Sequence, residues 1–375
     1  MRFDTISDSR VLFQNVVATV SSIAVIAGNR AMKTDDLRIV KTRPLLAPAI
    51  LAEEIPLTET ASTRVYDTRR AIEAILDGED TRLLVVVGPC SVHDTKAALE
   101  YATKLKPVAD ALSDALLLVM RVYFEKPRTV VGWKGLINDP DLDESYHINK
   151  GLRLARQLLA DILELGMPAG TEFLDTTFGQ FYADLISWGA IGARTAESQI
   201  HRELASGLSM PVGIKNRTDG NVQIAVDAIR TARSRHLFPS LTKEGAPAIL
   251  ETTGNPYAHL VLRGGSETGP NFDAASVESA VRMLRAAGLP EAVMVDCSHG
   301  NSGKDAARQI DVATAVMGNL RGSPIRALMF ESHLVAGRQN APVTYGQSIT
   351  DACLGVEETE GLLYRLADAV SRLPR

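Results

Sequence analysis

Eight short apolar runs, each followed by an amphipathic stretch, constrain this chain more than any other feature. The runs are residues 83–87, 116–124, 168–172, 190–194, 211–215, 259–263, 293–299 and 327–331. The first, Leu83-Leu84-Val85-Val86-Val87, is apolar at every position and stops at Gly88-Pro89. A strand of that kind is covered on both faces, as in parallel sheets flanked by helices. The intervening segments have helical spacing. Ala71, Ile72, Ile75 and Leu76 form one face that ends near Gly78. Ile148, Leu152, Ala155, Leu159 and Ile162 form another, with Gly166 as its stop. Residues 222–232, 277–284 and 310–320 repeat the pattern. Eight strand–helix units predict an α/β chain folded as a (β/α)8 barrel, which takes about 250 residues. A doubly wound sheet is the competing architecture, and eight successive units favour closure.

The rest of the 375 residues are additions to that barrel. Residues 236–256 hold two apolar runs around Lys243-Glu244-Gly245, which predicts a β-hairpin inserted between the fifth and sixth units. The expected organisation is an extension over 1–31, an arm and helix over 32–80, and the catalytic barrel over 81–375. The stretch 16–28 is apolar, but Asp4 and Asp8 precede it and no small-x-small cleavage site is well formed. It reads as an upstream extension, disordered or preceding a second start at Met32. No run reaches the roughly 18 apolar residues of a spanning helix.

Composition narrows the function. Forty basic against 45 acidic residues disfavour sequence-independent nucleic-acid binding, which needs surplus positive charge. Three cysteines, an odd and sparse set, point to a reducing, cytoplasmic setting rather than a disulfide framework.

Barrels of this type carry their chemistry at the C-terminal ends of the strands. Those ends read Cys90, Arg121, Glu172, Arg194, Lys215, Arg263, His299 and Glu331. Four cations gathered at one mouth repel one another and are costly to desolvate together, so a polyanionic ligand is expected there. Arginine suits carboxylate and phosphate oxygens bidentately, and lysine acts as a point charge. Taken singly, each residue has a plainer explanation: a surface cation, a solvated carboxylate, a small buried thiol, a structural histidine. Together, Cys90, His299 and Glu331 belong to neighbouring strands, and Asp351 follows the eighth by a short connection. Thiolate, imidazole and two carboxylates suit Mn, Fe, Co or Zn better than Mg or Ca. Cys297 and Cys353, the latter expected at a helix start, read as packing residues. The stretch from His299 to Lys304 could wrap a phosphate, but it is not a Walker A sequence. Lys126-Pro127-Arg128-Thr129 places two cations and a hydroxyl on a loop over the mouth.

At the level of motifs the chain resembles the type I 3-deoxy-D-arabino-heptulosonate 7-phosphate (DAHP) synthases. The matching segments are GPCSVHD from Gly88, RVYFEKPRT from Arg121, GWKGLINDP from Gly132, GAR from Gly192 and ESQIHRELASGLSMPVGIKN from Glu197. LRGG from Leu262, DCSHGNS from Asp296, ESHL from Glu331 and SITDACLG from Ser348 extend the match over nearly the whole chain. The resemblance implies metal ligation by Cys90, His299, Glu331 and Asp351, with Mn the first choice. It implies that Arg121, Lys126, Arg194, Lys215 and Arg263 hold phosphoenolpyruvate, with Glu172 near the reacting carbons. Lys126, Pro127, Arg128 and Thr129 fall to erythrose 4-phosphate, and Asp351 lies beside the substrates. Lys126, with Cys90 and His299, is the expected catalytic set, Lys126 as general acid. Val356 stands where the family commonly has Trp, and Arg217 where it commonly has Gly; the latter is expected to alter phosphoenolpyruvate affinity.

The family is commonly inhibited by an aromatic amino acid held between the hairpin and a neighbouring subunit's arm, which implies a homodimer or homotetramer. The matching positions are Asp35, Asp36, Gln180, Leu208, Ser209, Phe238, Ser240 and Leu250. Two aspartates can receive an α-ammonium and Phe238 with two leucines can enclose a ring; a solvated acidic arm and a packed hairpin are the plainer explanation. Ser240 favours Phe over Tyr, because a smaller residue there would leave room for a phenol. The rivals are a metal-dependent synthase acting on a different phosphosugar and a non-catalytic amino-acid-sensing barrel.

Overall fold

The computed structural model describes residues 32, 34–128 and 130–373. The expected extension over 1–31, with its apolar stretch, and Thr129 lie outside the described residues. Contacts divide the chain into Met1–Pro44 and Leu45–Arg375. In the first unit, Asp35 and Asp36 are exposed, and the Asp36 amide donates to Asp35 Oδ1 at 2.9 Å.

The second unit contains the barrel. In chain order its strands are β1 (Leu83–Gly88), β2 (Leu116–Arg121), β3 (Ala169–Glu172), β4 (Trp188–Ile191) and β5 (Val212–Lys215). There follow β6 (Leu237–Leu241), β7 (Pro247–Glu251), β8 (Ala258–Leu262), β9 (Val293–Asp296) and β10 (Ile325–His333). All but β6 and β7 form one parallel sheet in sequence order, and β1 pairs with β10 to close it. β6 and β7 form the expected hairpin, antiparallel, with Phe238 opposite Leu250 and Ser240 opposite Ala248.

The period of two explains why the strands are apolar throughout. Leu83, Val85 and Val87 pack outward into the cluster shared with the helices. Leu84 and Val86 point inward and join Val119, Trp188, Val261, Met294 and Met329 in the lumen. The helix α1 (Pro48–Glu54) precedes α2 (Glu59–Asp77), whose Ile72, Ile75 and Leu76 join the luminal cluster. Thr58 caps α2, accepting from the Ala61 amide at 3.1 Å, and Gly78 ends it at φ +78°. Arg69 holds the helix in place, donating from Nε to Ile186 O and from Nη2 to Ala183 O, each at 2.9 Å.

The hairpin tip is tied to the same body. The Ala49 amide donates to Lys243 O at 2.7 Å, and Lys243 Nζ donates to Gln180 O at 2.7 Å. Cys353 differs from expectation: it bridges Gly337 in a short β-pairing, and the last helix begins three residues later at Val356. No helix among the described residues is long and apolar enough to cross a membrane.

Candidate active site

The alternation that fills the lumen also builds the site. Two residues beyond luminal Val119 stands Arg121; beyond Val261, Arg263; beyond Met294, Asp296; beyond Met329, Glu331. The same step leads from Gly170 to Glu172 and from Gly213 to Lys215. A ring of ionisable groups therefore caps the apolar lumen at the C-terminal mouth. Above it opens a cavity of about 770 Å³. Arg121, Lys126, Pro127, Arg128, Glu172, Arg194, Lys215, Arg263, His299 and Asp351 all line it.

Beneath the cavity lies a donor cluster. Cys90 Sγ, a Glu331 oxygen and an Asp351 oxygen lie within 4.8 Å of one another. His299 adjoins this trio through Glu331, its Nε2 3.6 Å from Glu331 Oε1. Its other nitrogen, Nδ1, lies 2.9 Å from Asp296 Oδ2 and 2.6 Å from Ser298 Oγ. The contact of Nδ1 with the Asp296 carboxylate fixes the ring so that Nε2 faces Glu331. His299 adopts φ +53°, a conformation uncommon for a side-chain-bearing residue.

The cations divide into paired and unpaired groups. Arg121 Nη2 meets Glu331 Oε1 at 3.0 Å, and its guanidinium lies 3.6 Å over the Tyr123 ring. Lys215 Nζ meets Asp296 Oδ2 at 2.8 Å. Lys126 Nζ lies 2.8 Å from both Cys90 Sγ and Asp351 Oδ2. Arg263 and Arg128 donate to backbone carbonyls, and Arg194 is exposed at the cavity wall. Arg217 turns elsewhere, pairing with Asp219 and with Glu197 at 3.3 Å, and does not line the cavity.

Burial and charge set the protonation states. Burial pushes the Cys90 thiol up to about 11, and Glu331 adds to the effect. Burial alone would raise the Glu331 carboxyl, but His299, Arg121 and Lys126 hold it below its ordinary value. Asp351 is likewise held well below the usual carboxylate range, because Lys126 outweighs its desolvation. Desolvation would lower Lys126, yet Cys90, Glu331 and Asp351 push it up, so it stays charged. Glu172 Oε1 is buried with no hydrogen-bond partner. Gly192 makes room for it, since a Cβ there would fall 2.3 Å from that oxygen.

Three residues of the site escaped the sequence reading as functional groups. Asp296, Tyr123 and Glu125 follow from the same step of two along β9 and beyond β2. Asp296 is fully buried and joins Lys215 to His299. Burial, with the charges of Asp175 and Glu172 and against the Asp175 amide, pushes Glu125 up to about 8. The remaining expected positions lie away from the cavity. Phe238 is buried in the hairpin, Ser240 and Leu250 are half-buried there, Gln180 and Leu208 are half-buried, and Ser209 is exposed.

Two further cavities, of about 300 and 800 Å³, open at the opposite end of the barrel, where Leu83 and Ile325 begin their strands. Neither gathers a comparable set of ligands.

Comparison with known proteins agrees with this geometry. Residues 54–364 match the model of the DAHP synthetase I family. The Trp-sensitive phospho-2-dehydro-3-deoxyheptonate aldolase of Escherichia coli K12 is 55% identical over 344 residues, 90% of this chain and 98% of that protein. The Phe-sensitive enzyme of the same strain has the same identity and coverage. A solved structure of phospho-2-dehydro-3-deoxyheptonate aldolase from Francisella tularensis SCHU S4 superposes with a TM-score of 0.88 at 52% identity, covering 90% of this chain and all of that one. With a closed eight-stranded barrel, a mouth lined by cations and matches of this length, the chain belongs to the DAHP synthetase I family.

Proposed function

We propose that this protein condenses phosphoenolpyruvate with D-erythrose 4-phosphate and water, releasing phosphate and DAHP, the first step toward chorismate and the aromatic amino acids. The observation that carries this reading is the convergence of Arg121, Lys126, Arg194, Lys215 and Arg263 on one cavity directly above a thiol, an imidazole and two carboxylates. Phosphoenolpyruvate brings a phosphate and a carboxylate to that ring. The Lys126-Pro127-Arg128-Thr129 loop takes the phosphate of the aldehyde substrate.

Carbon 3 of phosphoenolpyruvate attacks the aldehyde carbon, water adds at carbon 2, and phosphate leaves by C–O cleavage. Lys126 gives its proton to the alkoxide oxygen as charge develops there. A lysine held in its charged form parts with that proton once a much stronger base forms beside it. The arginines and Lys215 offset the substrates' charge and stabilise charge that grows in the transition state. Glu172, with one oxygen free of partners, faces the reacting carbons.

Cys90, His299, Glu331 and Asp351 fit a divalent transition ion: the donor types suit one, and the Lys126 ammonium already gathers at Cys90 Sγ and Asp351 Oδ2. Such an ion, Mn for a first choice, would supply Lewis-acid polarisation of the aldehyde carbonyl. The hairpin positions Phe238, Ser240 and Leu250, with Gln180, Leu208 and Ser209, form one side of the effector site in a homodimer or homotetramer, and Asp35 and Asp36 serve it from a neighbouring subunit's arm. The relatives named Trp-sensitive and Phe-sensitive support an aromatic effector.

The test follows phosphoenolpyruvate absorbance in the presence of erythrose 4-phosphate, with and without chelator. Consumption that needs the aldehyde and stops with chelator is expected. Consumption without the aldehyde, or with a different phosphosugar in preference, refutes the reading.

A further inference from the structure

Two buried hydroxyls stand directly beside two of the proposed metal ligands. Ser91 follows Cys90, and Thr350 precedes Asp351. Their side chains meet, Ser91 Oγ to Thr350 Oγ1 at 2.8 Å, with the residues 1% and 6% exposed. The contact joins positions 259 residues apart. Thr350 is itself fixed, its amide donating to Ser348 Oγ at 3.2 Å.

The need for such a link follows from the fold. Glu331 lies within β10, and Cys90 and His299 follow the ends of β1 and β9 closely, so strand pairing sets their spacing. Asp351 lies on neither a strand nor a helix. The short pairing of Leu354 and Gly355 with β10 lies three residues on, so side-chain contacts complete the placement of the Asp351 carboxylate against the Cys90 thiol, 3.6 Å away. Lys126 Nζ bridges the two ligand atoms themselves, and the hydroxyl pair joins their backbones one residue from each ligand. Thr350 Oγ1 also lies 3.4 Å from Ser348 Oγ, but the 2.8 Å bond to Ser91 is the shorter contact, and burial leaves no water to replace it.

We propose that the Ser91–Thr350 hydrogen bond is a positioning strap that holds Cys90 and Asp351 at the spacing a divalent transition ion requires. The proposal rests on the reading of Cys90, His299, Glu331 and Asp351 as ligands. Neither hydroxyl touches substrate or metal, so both residues act through their neighbours.

The experiment measures Co2+ affinity of the full chain from the thiolate-to-cobalt absorption band, with chelator competition. Ser91→Ala and Thr350→Val are each expected to weaken binding by about tenfold, at the lower end of effects for groups that orient a ligand. Thr350→Ser, which keeps the hydroxyl, is expected to bind as wild type does. The double variant is expected to lose no more than either single one, since both remove the same bond. Wild-type affinity in Ser91→Ala and Thr350→Val, or strictly additive losses, overturns the strap. Absence of the band in the wild-type chain overturns the ligand reading instead. Should Thr350→Val fail to fold, Ser91→Ala, which removes one buried oxygen, carries the test against Thr350→Ser.

Discussion

Asp296 shows how much one buried carboxylate can organise. It is fully buried, and Lys215, 3% exposed, depends on it for counter-charge while His299 depends on it for orientation. Burial alone would raise its carboxyl, but His299 and Lys215 pull it well below its ordinary value. Asp296→Asn leaves a buried ammonium facing a neutral amide, which costs about 3 kcal/mol when one partner of a buried pair is removed. Urea denaturation at neutral pH is expected to show that loss, and an unchanged midpoint would contradict it. Glu125 presents the opposite case. Its carboxyl rises from 4.5 to about 8. Below the lower value both folded and unfolded chains hold the proton. Between the two, the unfolded chain releases it and the folded chain keeps it, so stability falls as pH rises through this window and changes no further above it. Glu125→Gln removes that slope, about 1.4 kcal/mol per pH unit at most. Denaturation at pH 5.5 and pH 8 is expected to show the variant gaining on the wild type at the higher pH.

The strands were legible because each apolar run had to be covered on two faces; which residues of each run face the lumen came only with the structure. Arg121, Lys215, Arg263 and Glu331 were marked as mouth residues by their place at the ends of those runs, and the alternation shows why they turn inward. The apolar-run rule overran where burial outlasts the sheet: residues 122–124 are fully buried yet leave β2 at Arg121. Asp296 was passed over because its neighbours Cys297 and His299 drew the chemistry, although the alternation from Met294 pointed to it. Asp351 sits on no periodic element, so no hydrophobic pattern could place it. The pairing of Lys126 with Cys90 and Asp351 was likewise invisible, since a flexible four-carbon side chain settles by charge and not by spacing. Luminal packing makes its own prediction. A Cβ on Gly213 of β5 would lie 2.5 Å from Trp188 Cζ2 and 2.7 Å from Val261 Cγ2. Gly213→Ala is expected to cost about 1–3 kcal/mol through overpacking, read from the unfolding midpoint.

At the scale of the molecule, the proposed reacting groups and the proposed effector site occupy different layers. The reacting groups stand on the inner face of a sheet closed by β1 and β10, whereas the hairpin β6–β7 is inserted between two barrel strands and contributes no residue to the cavity lining. Its inward face carries Phe238, opposite Leu250, beside Ser240. The hairpin is nonetheless coupled to the body that carries the mouth, through Lys243 Nζ on Gln180 O and Lys243 O on the Ala49 amide. An effector that binds the hairpin can therefore bias the barrel without touching a reacting atom. Phe238→Ala deletes a ring from the expected effector pocket while leaving every group at the mouth in place. Its kcat and both KM values are expected to stay within about twofold of wild type, and the inhibition constant for phenylalanine is expected to rise at least about tenfold, the loss of roughly 1.4 kcal/mol or more of aromatic contact. Titrations with Phe, Tyr and Trp on both proteins decide it. Inhibition by all three that survives unchanged in Phe238→Ala would move the effector away from the hairpin, and wild-type indifference to all three would remove regulation from this barrel altogether.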